Sequence, residues 1–203
     1  AGWSVLILPW VLASKSGAHW LFWVIIVMAA LGFYGEQVQV ALGEFRTTDV
    51  STVLGVLPVL FLAFRELALQ RGIEWLHDNW LRRTLIVLSM ATLFPLALAF
   101  VFTNDEALPG FLSFVLVAAT LTLVYLKYLP DFSIIAIVVA LASLLGMAIG
   151  GRVIFELFDD IRNAGGLVLG LLLLGAWCVL VTTMVVRLLN YLHKQIQAST
   201  SLE

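Results

Sequence analysis

Apolar runs that each match the thickness of a lipid bilayer constrain this chain more than any other feature. A helix of about 20 apolar residues crosses a hydrocarbon core of about 30 Å, and the charged residues fall in short clusters between such runs. Hydrophobic residues make up 62% of the sequence and charged residues 12%, whereas a soluble domain carries about 25% charged residues. The sequence therefore predicts an all-α integral membrane protein.

Seven apolar segments predict a polytopic bundle of six to seven transmembrane helices. In lipid, the backbone must be hydrogen-bonded within each segment, so each segment is expected to be helical. The first is short for a span, and the second and sixth are open to extension as far as Phe45 and Phe158. The segments are Trp3–Ala13, Trp20–Gly35, Val50–Ala68, Thr84–Thr103, Ala107–Leu129, Phe132–Gly150 and Gly166–Leu189.

A single transmembrane domain is predicted over residues 1–200, because no repeat or soluble domain interrupts the apolar segments. The longest polar connector, Leu69–Arg83, mixes tryptophan and isoleucine with charges, which predicts a short amphipathic helix on the cytoplasmic membrane surface. Residues 201–203 resemble a cloning remnant and are left out of the fold prediction. The chain begins at Ala1 rather than at Met, which leaves open that it is a piece of a longer protein.

The basic residues predict the orientation of the chain. If the spans alternate, eight basic residues fall on one side and three on the other, and cytoplasmic loops carry the excess. The C-terminus is therefore predicted to be cytoplasmic. The eight are Lys15, Arg65, Arg71, Arg82, Arg83, Lys127, Arg187 and Lys194, and the three are Arg46, Arg152 and Arg162.

Polar residues at the outer end of the second segment form the first candidate site. If the helix continues past Gly35, Glu36 and Gln39 share one face. Carboxylates and amides at membrane depth often mark an ion or substrate path. The alternative is a helix that leaves the lipid with a solvated face, since the preceding apolar run is nearly a full span by itself.

Three carboxylates after the sixth segment form the second candidate. Glu156, Asp159 and Asp160 stand at i, i+3 and i+4, so they share a helical face. Such a face would concentrate cations at an outer mouth. The alternative is an ordinary surface ion pair, because Arg152 precedes Glu156 by four residues. The residues do not follow a calcium-loop pattern, so no metal site is predicted.

Small residues and prolines inside the apolar segments are assigned to packing and to bending. Pro58 and Pro95 lie mid-segment, and each removes a backbone hydrogen bond, which predicts a bent helix. Two GxxxG pairs predict close helix packing, either within the chain or between subunits. The four glycines are Gly146, Gly150, Gly166 and Gly170.

Other kinds of site find little support. A single cysteine, Cys178, excludes an internal disulfide. The net charge of −2 provides no basic field for nucleic acid. All three histidines fall outside the apolar segments, against a buried bis-histidine haem, and no cofactor is predicted. The adjacent pair His77 and Asp78 is the one hint of a lipid-modifying enzyme, although neighbouring residues on a helix face different ways.

The sequence favours a small transporter or channel for a small solute or cation, with the acidic residues as its outer vestibule. The alternative is a non-enzymatic sensing or scaffold module of a larger protein or complex, for which the tail Leu188–Gln197 would be the binding element. An enzyme is the least favoured class. The expected partners are the lipid bilayer and, through the small-residue faces, a second copy or a partner subunit. The expected location is the bacterial inner (plasma) membrane.

Overall fold

A computed structural model describes residues 2–42, 47–103, 105–158 and 164–200, and these residues form helices with short connections and no strand. Two 3-10 turns, Glu74–Leu76 and Asp105–Ala107, precede the fourth and fifth α-helices. The prediction of an all-α fold is confirmed for this part of the chain. The helices are α1 Gly2–Ser14, α2 Gly17–Leu42, α3 Thr47–Gln70, α4 Asn79–Phe102, α5 Leu108–Lys127, α6 Phe132–Phe158 and α7 Ala164–Thr200.

Within the described ranges, six helices, α2 to α7, are long and apolar enough to cross a membrane. Helix α1 has 13 residues and is about 20 Å long, which is shorter than a hydrocarbon core of about 30 Å. The six to seven predicted spans therefore correspond to six long helices and one short apolar helix. The side on which the C-terminus lies stays a prediction.

Three helices extend furthest beyond the strictly apolar segments. Helices α2 and α6 reach Leu42 and Phe158, in the direction that the sequence left open. Helix α7 has 37 residues, a length of about 55 Å, and it continues past Leu189 to Thr200. The polar end of α7 contains leucine, lysine and glutamine, which are good helix formers, so the helix continues where the apolar pattern stops.

The connector Leu69–Arg83 does not form the predicted amphipathic helix. Helix α3 extends to Gln70 and α4 begins at Asn79, so the two spanning helices take up both flanks of the connector. Gly72 has a φ of +83°, the left-handed conformation that glycine adopts without steric cost. Its N–H bonds to the carbonyl of Leu69, and the N–H of Ile73 bonds to that of Ala68. This paired capping pattern ends α3, and only one 3-10 turn precedes α4.

The chain folds into two compact units, each with its own internal packing. The first comprises Ala1–Leu96 and Glu106–Phe114, and the second comprises Ala97–Asp105 and Val115–Glu203. The single transmembrane domain stays a prediction.

The first unit is built on α2, with α1 on one side and α3 on the other. Lys15, with a φ of 45°, turns the chain between α1 and α2, and the Trp23 Nε1 donates to the carbonyl of Ser4, 2.7 Å away. The Trp20 ring stacks on Phe64 of α3 at 5.7 Å between centroids. Aromatic rings therefore fasten α2 to α3, and aliphatic side chains fill the rest. The fully buried ones are Val11, Val24, Leu81, Leu85, Ile86, Met90 and Leu93.

The second unit is built on an antiparallel pair, α6 and α7. Trp177 of α7 lies over Gly150, where an added Cβ would overlap the indole, and its Nε1 donates to the carbonyl of Gly146 at 3.3 Å. At the other end of the pair, the rings of Phe132 and His193 meet edge to face at 4.8 Å. Contacts between the two helices therefore extend over most of the length of α6.

The glycines assigned to packing differ in their surroundings. The space beside Gly150 is filled by Trp177, whereas a Cβ on Gly146 would meet nothing within 4 Å. Gly166 is buried, and a Cβ on Gly170 would make an ordinary contact of 3.7 Å with Phe158. Among Gly146, Gly150 and Gly170, Gly150 is the position where only the absence of a side chain permits the observed approach.

Gly150→Ala is expected to destabilise the α6–α7 pair by about 1–3 kcal/mol, because the new methyl group must displace the Trp177 ring. Gly146→Ala is the matched control: it has open space and gains about 0.5–1 kcal/mol of helix propensity. Unfolding by sodium dodecyl sulfate in mixed micelles, followed by circular dichroism, measures both. Equal stability of the two variants would contradict this packing.

Candidate functional site

The acidic end of α2 keeps its carboxylate at the surface. Helix α2 continues past Gly35 to Leu42, so Glu36 and Gln39 lie three residues apart on one continuous helix and share a face. The side chain of Glu36 is exposed, whereas that of Gln39 lies outside the described part of the structure. Gly35 contacts Val50 of α3, with only 2.5 Å left between an ideal Cβ and the Val50 Cγ1. Close packing on α3 therefore holds this end of α2 and leaves Glu36 accessible.

Glu156 is engaged in an ion pair on the surface of α6. Its carboxylate accepts from the Arg152 Nε at 2.6 Å, and the two side chains are 62% and 46% exposed. An exposed pair at this spacing contributes about 0.3–0.5 kcal/mol. A second arm of Arg152 donates to the carbonyl of Val101 at the end of α4, where a cation is favoured by the helix dipole. This geometry is that of a surface ion pair, which is the alternative that the sequence allowed.

The remaining carboxylates of the second candidate, Asp159 and Asp160, lie outside the described residues. Among the residues that the structure does describe, no group of three histidine, cysteine or acidic side chains is arranged to hold a metal ion.

Helices α3 and α4 pack closely against each other around Gly55. Leu93 of α4 lies so close to Gly55 that a Cβ there would overlap its side chain, and the Thr92 Oγ1 would be 3.1 Å away. The buried Ser89 Oγ donates across the contact to the carbonyl of Gly55 at 2.5 Å. Leu93 and Ser89 are both fully buried. This contact therefore leaves no room for an aqueous path between α3 and α4 at this level.

Both predicted bending residues lie inside helices, one on each partner of this contact. Pro58 is buried in α3, one turn after Gly55, and Pro95 lies in α4, just after Leu93. A proline in a helix cannot donate to the carbonyl four residues before it, so one backbone bond is lost in each helix. Two helices that each lack one backbone hydrogen bond thus pack against each other at Gly55.

Several hydroxyl groups on the long helices donate to carbonyls three or four residues earlier in their own helix, a common arrangement for serine and threonine in apolar helices. The side chains that do so include Thr92, Thr122, Ser143, Thr182 and Thr183. The Ser89 hydroxyl instead links two helices.

Arg65 is a buried charge that the sequence analysis treated only as one of the cytoplasmic basic residues. It is 2% exposed, its Nη1 pairs with Glu66, and its Nη2 donates to the carbonyl of Asp78 at 3.2 Å. Its Nε is buried without a hydrogen-bond partner in the described structure. Since Asp78 directly precedes α4, Arg65 ties the end of α3 to the start of the next helix. The available signal was a charged residue inside the apolar segment Val50–Ala68, which is costly and therefore informative.

The surroundings of Arg65 also bear on the enzymatic alternative. The Asp78 carboxylate accepts from the Trp80 Nε1 at 3.2 Å and faces the start of α2, 3.3 Å from an ideal Cβ on Gly17. His77 is exposed, and the described hydrogen bonds of Asp78 do not include it. The geometry therefore gives Asp78 a role in joining helix ends and does not assemble a His77–Asp78 dyad.

The tail of α7 already has intramolecular contacts. Leu192 is buried, and His193 meets the ring of Phe132 at the start of α6. Within the segment Leu188–Gln197, the binding element of the scaffold alternative, Leu192 and His193 therefore contact their own chain, whereas Leu188 and Tyr191 are exposed.

Comparison of the chain with protein-family models, with curated proteins and with solved structures produced no match.

Arg65→Met is expected to lower the free energy of unfolding by about 2–3 kcal/mol, because Glu66 and the Asp78 carbonyl both lose their cationic partner. Arg71→Met, at an exposed position on the same connector, is the control and should stay within about 0.5 kcal/mol of the parent chain. Unfolding by sodium dodecyl sulfate measures both, with limited proteolysis between residues 71 and 78 as a second readout. Identical behaviour of the two variants would show that Arg65 does not hold the connector.

Proposed function

We propose that this chain is a small multi-pass membrane protein that moves a small solute or cation across the bilayer. The described residues are almost entirely helix, with six apolar helices of spanning length, which supports an activity exercised within or across a membrane. The proposal includes a cytoplasmic C-terminus, from the excess of basic residues on that side, and a bacterial inner (plasma) membrane as the location.

The main support for this proposal is the contact between α3 and α4. Transport requires helices that change their inclination while they stay packed. Pro58 and Pro95 each remove a backbone bond, which is where helices bend, and the two helices contact each other at Gly55 between them. A bend in either helix would therefore act at a point where α3 carries no side chain of its own and packs directly on Leu93 of α4.

The outer carboxylates are proposed to attract the cation. Glu36 is exposed on α2 and is proposed as the principal charge, with Gln39 on the same face. Glu156 contributes less, because Arg152 offsets its charge. Asp159 and Asp160 stay in the proposal on the strength of their spacing alone.

Gly55→Ala is expected to lower the transport rate about tenfold, because a methyl group at this position wedges α3 away from Leu93. Gly32→Ala is the matched control, since its Cβ would make an ordinary 3.5 Å contact with Leu54. Purified protein in liposomes is assayed with protons, monovalent and divalent cations and neutral solutes, against empty liposomes. Pro58→Ala tests the same point without adding volume. An absence of flux for every solute by correctly oriented, folded protein would refute transport.

Glu36→Gln is expected to reduce the initial rate of cation flux, most strongly for divalent ions and at low ionic strength, because it removes an exposed attracting charge. Glu156→Gln, whose carboxylate is paired, should have the smaller effect. The salt dependence of the initial rate distinguishes attraction from a structural defect. Equal rates for Glu36→Gln and the parent chain at low salt would remove Glu36 from the path.

A non-enzymatic sensing or scaffold module is the second candidate, and one observation favours it. Of the side chains described on α7, those of Gly166 and Leu192 are buried and the others are partly or fully exposed. Helix α7 contacts α6 along one side and leaves the rest of its apolar surface for lipid, for a second copy or for a partner subunit. Recovery of a stable complex through α7, together with an absence of flux, would favour this function over transport.

A further inference from the structure

Basic residues collect at one end of the first unit, where the turn between α1 and α2 meets the connector between α3 and α4. Gly17, at the start of α2, packs beside Asp78, whose carboxylate would be 3.3 Å from an ideal Cβ. Arg65, near the end of α3, donates to the backbone carbonyl of the same aspartate. Three helix ends therefore come together here. The basic residues on these segments, named the basic end, are Lys15, Arg65, Arg71, Arg82 and Arg83.

The basic end is positively charged in a chain that is acidic as a whole. Its five basic residues stand against three acidic residues on the same segments, whereas the rest of the sequence has six basic and ten acidic residues. Two of the three carboxylates are engaged within the chain, because Glu66 pairs with Arg65 and Asp78 accepts from the Trp80 Nε1. The third acidic residue, Glu74, begins a 3-10 turn. An excess of positive charge is therefore a property of this end of the molecule.

The basic end lies where helices of spanning length terminate. Helix α3 ends at Gln70 and α4 begins at Asn79, so eight residues connect them. Trp80 is 44% exposed, and tryptophan is favoured at the level of lipid head groups. The side chains of Lys15 and Arg71 are exposed, and long basic side chains near helix ends extend towards that interface. In a bilayer, their charges would therefore lie at the depth of the lipid phosphates.

Anionic phospholipid is the occupant that fits this charge at this depth. Lysine and arginine near the surface of an anionic leaflet are attracted to it, and clusters of them directly beside transmembrane helices are typical of acidic-lipid binding. A zwitterionic head group carries its own cation next to the phosphate, so it gains less from a surface with excess positive charge. A soluble acidic protein would have to displace the head groups that surround Trp80.

We infer that the basic end binds the head groups of anionic phospholipids in the leaflet that it faces. The inference rests on the proposed membrane location and is independent of transport. Lys15 contacts the head group from the α1–α2 turn and Arg71 from the α3–α4 connector. Arg65 is buried and acts by holding the connector in place.

The test compares dioleoyl phosphatidylglycerol with dioleoyl phosphatidylcholine, which differ only in the head group. The full chain in mixed micelles is incubated with equal amounts of both lipids, and mass spectrometry of the retained lipids gives their ratio. We expect the parent chain to prefer phosphatidylglycerol, and Lys15→Gln combined with Arg71→Gln to retain it about tenfold more weakly. Higher ionic strength should weaken the preference, because salt screens exposed charges.

Arg187→Gln combined with Lys194→Gln is the matched control. It also removes one arginine and one lysine at exposed positions, but on α7, and it should retain phosphatidylglycerol as the parent chain does. Lys15→Arg combined with Arg71→Lys conserves the charge and should also retain the lipid, which distinguishes loss of charge from a disturbed fold.

Equal retention of the two lipids by the parent chain would overturn the inference. So would an equal loss in the two glutamine double variants, because net charge alone would then explain binding. Displacement of phosphatidylglycerol by inorganic phosphate would assign the surface to a soluble anion, and displacement by poly-glutamate would assign it to an acidic protein. A failed flux assay with a normal lipid preference would refute transport alone, whereas failure of the chain to enter liposomes would refute the membrane location itself.

Discussion

Backbone hydrogen bonding inside each helix is the constraint on which the rest of this structure depends. In hydrocarbon, an unpaired N–H or C=O group costs several kcal/mol, so the apolar parts of the chain are helical and the departures from helix are confined to connections. The connections show how the chain meets this constraint. Lys15 and Gly72 take left-handed conformations at helix ends, and the N–H groups after α3 return to its last carbonyls. Most of the buried Arg65 guanidinium follows the same rule, because it donates to a carboxylate and to a backbone carbonyl, while its Nε has no partner among the described residues.

The helices recognise each other through shape as well as through a few polar bonds, such as those of Ser89 and Trp177. Hydroxyl groups such as those of Thr122 and Thr182 bond to their own helix and add no specificity between helices. The contacts between helices instead pair a glycine with a large side chain, as Gly55 with Leu93 and Gly150 with Trp177. Between apolar helices in lipid there is no hydrophobic drive to associate, so these complementary shapes determine which surfaces meet.

Hydropathy predicted the helices well because the physical requirement is local. A long run of apolar residues has to be helical in lipid wherever it lies in the fold, and all six long helices coincide with predicted segments. The ends were less predictable, since α7 continues on helix propensity after its apolar pattern stops, and Gly72 ends α3 before an amphipathic helix can form. The environment of the candidate residues was least predictable. The pairing of Arg152 with Glu156 could be predicted from their spacing. The burial of Arg65 and the packing of Trp177 on Gly150 could not, because both depend on contacts between segments that are distant in the sequence.

The seat of Trp177 has a mechanical consequence for the second unit. The indole packs on Gly150 and is hydrogen-bonded to the carbonyl of Gly146, so it fixes the position of α7 along α6. A shear displacement by one helical turn, about 5.4 Å, would break this hydrogen bond. Towards Val153 and Ile154 it would also drive the indole against side chains. Packed helices that resist shear move as rigid bodies, so the α6–α7 pair is suited to move as one stiff unit.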